Sequence, residues 1–311
     1  MKWTGMNLPT SMQRQNLKLK NISMAKTRTA EVVADKGILL IAIGSTEYLR
    51  MAENLAISIK HIEPTMPIAL AHNYTESINP ALFDYSIEVP KESYTTNGNI
   101  EYIKVKTWMY DFSPFQETLF LDVDMVWLFK KKPSSLIAEC KGLNWTMSNT
   151  GLAGFSIWCD IEDVRKIYPN VKMWNYHSEC VYFNKCDVSK KYFDKVKSVY
   201  ENPPIKGTNF GGARIADELA FQLASLELNQ FPHKENWTPI FWYARDKKTA
   251  HLQPYKLSET YYAYSVGGNR LPISVKNSYA LVSNYHAQKS KLGKAYKIRD
   301  KRMFIPERRM L

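Results

Sequence analysis

Ile38-Leu39-Leu40-Ile41-Ala42-Ile43 is apolar at every position, so both faces of a strand built from it need cover. Such strands lie in the middle of parallel sheets with helices on both sides. Gly44-Ser45-Thr46 turns the chain, and Ser45 or Thr46 caps a helix predicted to reach about Ile62, with Leu49, Ala52, Leu55, Ala56 and Ile59 on one face. Pro64 and Pro67 end that helix, and Ile68–Ala71 is a second strand. Strand, helix and strand make a right-handed βαβ unit. Further strands are predicted at Tyr85–Val89 and Thr118–Asp122, and helices at Tyr102–Tyr110 and Asp217–Leu228. Residues 145–186 alternate apolar and polar and predict shorter, partly antiparallel strands. No repeat and no linker divides the body. The pattern predicts one α/β domain whose mixed, mostly parallel sheet is flanked by helices.

Charge is distributed unevenly. The 311 residues hold 42 Lys and Arg against 30 Asp and Glu, a net charge of +12. Residues 1–36 contribute +5 and residues 285–311 contribute +7, so the body between them is neutral. A neutral body with two basic ends fits a polyanionic partner, either nucleic acid or an anionic surface; the bland alternative is solvated tails. The longest purely aliphatic run is six residues, against about 20 for a bilayer helix. No charged-then-apolar leader opens the chain. Cys140, Cys159, Cys180 and Cys186 show no metal spacing and read as reduced thiols. A cytoplasmic protein without a transmembrane segment is the expectation.

The chemistry is signalled by Leu119-Phe120-Leu121-Asp122-Val123-Asp124. Two carboxylates at the end of a buried strand meet on one ion if the chain turns between them. Open α/β sheets bind ligands at the carboxyl ends of their strands. Hard divalent cations take carboxylate oxygens and keep places for phosphate oxygens. The pair is therefore read as a metal and diphosphate platform.

With its surroundings, Thr107-Trp108-Met109-Tyr110, Ser113-Pro114-Phe115 and then Leu119–Asp124, this stretch resembles the DxD region of GT-A-fold nucleotide-sugar glycosyltransferases. The nearest group is the retaining one that includes glycogenin and the bacterial lipopolysaccharide galactosyltransferases. Three more segments resemble that family in order. They are Ala42-Ile43-Gly44-Ser45-Thr46-Glu47-Tyr48, Val181-Tyr182-Phe183-Asn184 and Asp217-Glu218-Leu219-Ala220-Phe221. The resemblance spans about residues 37–295. It implies a GT-A-type Rossmann-like sheet, with residues 1–36 as a basic arm, 37–284 as the catalytic domain and 285–311 as a basic segment completing the site. It also implies that Asp122, Asp124 and His286 hold Mn²⁺ or Mg²⁺. Ile43, Ser45, Thr46, Tyr48, Lys106 and Asp122 would bind the nucleotide sugar, with Tyr48 on the base. One of Lys289, Lys291 and Lys294 would grip the diphosphate. Asp217 and Glu218 would serve catalysis or orient the acceptor; otherwise they only complement their helix dipole.

Two departures from the family stand out. The Gly before the terminal Lys and the Pro-Trp after it are missing, and His177-Ser178-Glu179-Cys180 replaces the usual Asn, Ala or Ser, and Gly. Glu179 there either faces the sugar or lies on a surface turn. The eight aromatics of residues 236–264 stack sugars or bases, or else form core or a lid. The activity implied is transfer of a sugar, retaining by resemblance, from a nucleoside diphosphate sugar, with UDP the expected nucleotide. The basic ends point to a hydroxylated base in DNA as the acceptor, as in a viral (phage) DNA-modifying enzyme working in the host cytoplasm. The alternatives are a lipopolysaccharide or other surface glycan acceptor, and a non-catalytic nucleic-acid-binding protein.

Overall fold

A computed structural model describes residues 20–22, 30–75, 78–169, 171–208, 213–232, 234–243, 245–267 and 272–290. The chain begins with β1 (Lys20–Ile22), β2 (Ala34–Ala42), α1 (Thr46–Ile62), β3 (Ile68–His72) and β4 (Tyr85–Glu88). A small hairpin, β5 (Thr95–Thr96) and β6 (Asn99–Ile100), leads into a 3₁₀ turn at Lys104–Trp108 and α2 (Met109–Phe112). Then come β7 (Phe115–Leu121), β8 (Met125–Trp127), α3 (Pro133–Glu139), β9 (Trp145–Ala153), α4 (Ile161–Ile167) and β10 (Met173–Asn184). The last elements are α5 (Asp187–Glu201), α6 (Asp217–Leu228), β11 (Ile240–Trp242), α7 (Pro254–Leu257), β12 (Ala263–Ser265) and α8 (Ile273–Lys289).

Seven strands form the main sheet in the order β1-β4-β3-β2-β7-β10-β9. Pairing is parallel from β1 through β7, and antiparallel between β7 and β10 and between β10 and β9. The fold class read from the sequence is the one observed. Strand β2 shows why its run is apolar throughout. Leu39, Ile41 and Ile43 pack with Phe120, Val181 and the α5–α6 side chains Phe193 and Leu219 on one face. Ile38, Leu40 and Ala42 pack with Leu119, Leu121 and the α1 residues Ala52 and Leu55 on the other. A second sheet, β11-β12-β8, builds a third cluster with α8.

The helix expected at Tyr102–Tyr110 is a 3₁₀ turn followed by a short α-helix. The arm assigned to residues 1–36 contributes β1 to the sheet edge, and β2 already begins at Ala34. Helix α8 runs through the boundary placed at residue 284, so its last turn belongs to the body. Most of the basic arm and residues 291–311 lie outside the described residues. The four cysteines are unpaired, and among the described residues no helix is long and apolar enough to cross a membrane.

Candidate active site

Connections from β2 lead outward to β3 and β4 on one side, whereas β7 lies on the other. The order reverses between β2 and β7, and a crevice at such a switch point is where open α/β sheets hold ligands. Gly44 and Ser45 follow the end of β2 and lead into the first turn of α1, which holds Tyr48, and Asp122-Val123-Asp124 follow the end of β7 at this switch point.

Gly44 is required by its geometry. Its φ is +77°, and a Cβ there would lie 2.5 Å from the Tyr102 ring. Its amide donates to Asn73 Oδ1 at 2.9 Å, tying the ends of β2 and β3 together. Ser45 caps α1, its Oγ accepting from the Glu47 amide, and its carbonyl accepts from the Tyr74 hydroxyl at 2.7 Å. The rings of Tyr48 and Tyr102 stand 5.8 Å apart at 38°. Ile43 is buried under this loop, while the Ser45 and Thr46 side chains are exposed.

The structure brings Lys106, Asp122 and Asp217 together. Lys106 Nζ donates to Asp122 Oδ2 at 2.7 Å and lies 3.6 Å from Asp217 Oδ2. Burial opposes the ammonium charge, but Asp122, Asp217 and Asp124 outweigh it and hold Lys106 well above its ordinary range. Burial pushes the Asp122 carboxyl upward; Lys106 opposes this and the Asp124 charge adds to it. Asp217 opens α6 and is buried, and Glu218 beside it accepts from the Ser178 amide at 3.3 Å. Burial, then Asp217 and Glu179, drive the Glu218 carboxyl well above the usual range.

Gly267 lies against the Asp124 carboxylate. A Cβ there would stand 3.1 Å from Asp124 Oδ2, so any larger residue crowds that carboxylate. The Trp242 indole fixes Gly267 by donating to its carbonyl at 2.7 Å. Two adjacent carboxylates, with Asp122 raised, are a donor set that fits a divalent cation.

His286 does not join them. It is fully buried on α8, with Nε2 at 2.8 Å from the Trp127 carbonyl and Nδ1 at 2.7 Å from His61 Nδ1. Both ring nitrogens are engaged, so the third metal ligand implied for His286 is replaced by a helix-docking role. Burial, then His61, lower its pKa to about 4. The folded imidazole therefore stays neutral where an unfolded one, with its ordinary value of 6.5, takes up a proton. Stability from this group is complete above pH 6.5 and is lost as pH falls toward 4. His286→Gln should cost about 1–3 kcal/mol at neutral pH. The melting temperature of the parent should fall more steeply than the variant's across that window, and parallel curves would refute the assignment. Lys289 is exposed in the last turn of α8, and Lys291 and Lys294 lie outside the described residues.

Sequence reasoning missed Arg245. Its guanidinium, 9% exposed, donates to Glu179 Oε1 at 2.9 Å, to Asp246, and to the Ile240 carbonyl. The only signal was one Arg-Asp pair inside the aromatic-rich stretch. Those aromatics are largely core: Phe241, Tyr261 and Tyr264 pack in the third cluster, and Trp237 and Tyr262 in the second. Trp242 instead stands beside His177, ring centroids 5.5 Å apart.

No family model and no curated protein matches the chain. Solved structures do. The bifunctional glycosyltransferase WbbM is 11% identical with a TM-score of 0.50, over 82% of this chain and 51% of that one. The glycosyltransferase GlyE of Streptococcus pneumoniae TIGR4 is 13% identical with a TM-score of 0.46, over 82% and 64%. The galactosyltransferase LgtC, solved with donor and acceptor sugar analogues, is 10% identical with a TM-score of 0.48, over 80% and 95%. The chain thus spans about half the length of WbbM and under two thirds of GlyE. At these identities the likeness is one of fold.

Proposed function

We propose that this protein transfers a sugar from a nucleoside diphosphate sugar, with UDP the expected nucleotide, to a hydroxyl acceptor. The observation that carries the reading is the Asp122–Asp124 pair at the switch point, with Lys106 against Asp122 and the Gly44–Ser45 turn and first turn of α1 at the end of the neighbouring β2. The fold shared with WbbM agrees with it.

Tyr48 and Tyr102 offer aromatic surface for the base beside the β2 loop. Asp122 and Asp124 would hold Mn²⁺ or Mg²⁺, which supplies charge stabilisation for the departing diphosphate. Lys106 is kept cationic by its three carboxylate neighbours and adds a second positive charge at the same place. Asp217 orients Lys106. Glu218, beside Asp217 at the start of α6 and with its carboxyl raised by burial, could hydrogen-bond a sugar or acceptor hydroxyl. Attack by the acceptor hydroxyl on the anomeric carbon forms the new glycosidic bond as the bond to the diphosphate breaks, and an oxygen of the leaving diphosphate takes the hydroxyl's proton. Retention of configuration is part of this reading through the resemblance to the retaining group.

The acceptor reading is a hydroxylated base in DNA. It rests on the two basic ends, whose sixteen Lys and Arg flank a neutral body. Phosphate contacts of this kind give affinity without sequence choice, and a base in duplex would have to flip out to reach the donor. The test offers a panel of nucleotide sugars with hydroxymethylated DNA, plain DNA and a lipopolysaccharide glycan, and weighs the products. A hexose or pentose mass on hydroxymethylated DNA alone is the expected result. A mass on the glycan alone would move the acceptor to surface polysaccharide. No transfer and no slow donor hydrolysis would leave only a nucleic-acid-binding protein. DNA affinity should also fall linearly with salt on logarithmic axes, by about 0.9 per phosphate contacted.

A further inference from the structure

Beside the crevice, β10 breaks its pairing with β9. His177 pairs with Ser148 and Val181 with Met147, so Ser178, Glu179 and Cys180 have no partners on that strand. Bulges of this sort re-aim side chains. Here the irregularity, together with the first turn of α6, brings His177, Glu179 and Glu218 to one place, each offering a ligand atom within 4.8 Å of the others. We infer that His177, Glu179 and Glu218 form a second divalent cation site, distinct in its ligands from Asp122 and Asp124.

Three independent features support the site. His177 Nε2 is sealed from solvent and makes no hydrogen bond, which is costly for an imidazole nitrogen unless a ligand meets it. Glu179 is fixed through Oε1, which accepts from Ser148 Oγ at 3.1 Å and from Arg245, so its carboxylate is oriented as ligating carboxylates are by their outer partners. Glu218 is likewise held by the Ser178 amide. The local charge also calls for cations. Lys106 lies against Asp122 and Asp217, and Arg245 against Glu179 and Asp246, while Glu218 is met by the Ser178 amide.

The donor set selects the metal. One imidazole with two carboxylates suits Mn²⁺, Fe²⁺, Co²⁺ or Zn²⁺ better than Mg²⁺ or Ca²⁺. Ligand atoms about 2.1 Å from a tetrahedral ion lie about 3.4 Å apart, so binding would draw the three side chains together from within 4.8 Å.

The experiment uses the full-length Asp124→Asn protein, stripped with chelator and titrated with Mn²⁺ and with Zn²⁺, each alone and without nucleotide. Asp124→Asn should still bind one equivalent, and pulsed electron paramagnetic resonance of the bound Mn²⁺ should show coupling to an imidazole nitrogen. Adding His177→Gln should abolish that coupling and weaken binding about tenfold or more, and adding Glu218→Gln should weaken it similarly. The coupling is read with the cluster intact, so it stands even if a double variant folds poorly. No bound ion at millimolar metal, or binding and coupling unchanged by His177→Gln, would overturn the inference. Loss of transfer in Asp124→Asn tests the proposed function instead, because the second ion is scored here by binding alone.

Discussion

Asp124→Asn should lower metal-dependent turnover by at least about 30-fold, equivalent to ~2 kcal/mol of transition-state stabilisation, while the protein keeps its melting temperature within a degree or two. The warrant is positional. Asp124 follows the end of β7, beside Gly267, and asparagine keeps its size while losing the charge. Gly267→Ala should act in the same direction by crowding Oδ2. A chelator should silence the parent protein, with recovery on adding Mn²⁺ or Mg²⁺. Full turnover in excess chelator, or in the Asp124→Asn variant, would remove the diphosphate platform from the reading.

Lys106→Met should have the largest combined effect on stability and activity. It leaves Asp122, Asp124 and Asp217 facing one another without the ammonium that now sits 2.7 Å from Asp122. Removing one partner of a largely buried ion pair costs about 3–5 kcal/mol. Lys106 keeps a fifth of its side chain exposed, so a loss of about 2–4 kcal/mol is expected. Turnover should fall about 100-fold or more, as when a preorganised donor to a developing anion is lost. Added Mn²⁺ should raise the variant's melting temperature more than the parent's, because a cation on the carboxylates replaces the missing charge. Equal metal responses in the two proteins would show that Lys106 and the Asp122–Asp124 pair do not share one electrostatic site. Lys106→Arg retains the charge and should recover most of the stability.

Several elements were legible because a short-range pattern carries them. Strand β2 could only be central, since neither face tolerates water, and α6 was readable to the residue because its acidic start and apolar body are local. Helix α5 escaped notice although Tyr192, Phe193, Val196, Val199 and Tyr200 recur on its buried side. Its many lysines masked that stripe. The Tyr102–Tyr110 segment is helical in composition but winds as a 3₁₀ turn in its first part, where Lys104 reaches Glu201 and Lys106 reaches Asp122. Tertiary ion pairs there override local propensity.

By itself the sequence determined the mixed, mostly parallel α/β sheet, the β2 turn and the strand-end Asp122–Asp124 pair, because each depends on neighbours in the chain. Only the tertiary structure decided what distant residues do to one another. A histidine followed by lysines looks like a ligand in sequence, yet burial of α8 against α1 and β8 commits both His286 nitrogens to His61 and the Trp127 carbonyl. In sequence, His177 and Glu179 stood out as a departure from the family that implied a differently shaped sugar or acceptor pocket. An irregularity in strand pairing and the start of a helix 40 residues later, from Ser178 to Glu218, make them neighbours. Arg245 fixes Glu179 across 66 residues. Such convergence depends on strand register and helix docking, which arise from the packing of the whole core and leave no periodic trace along the chain.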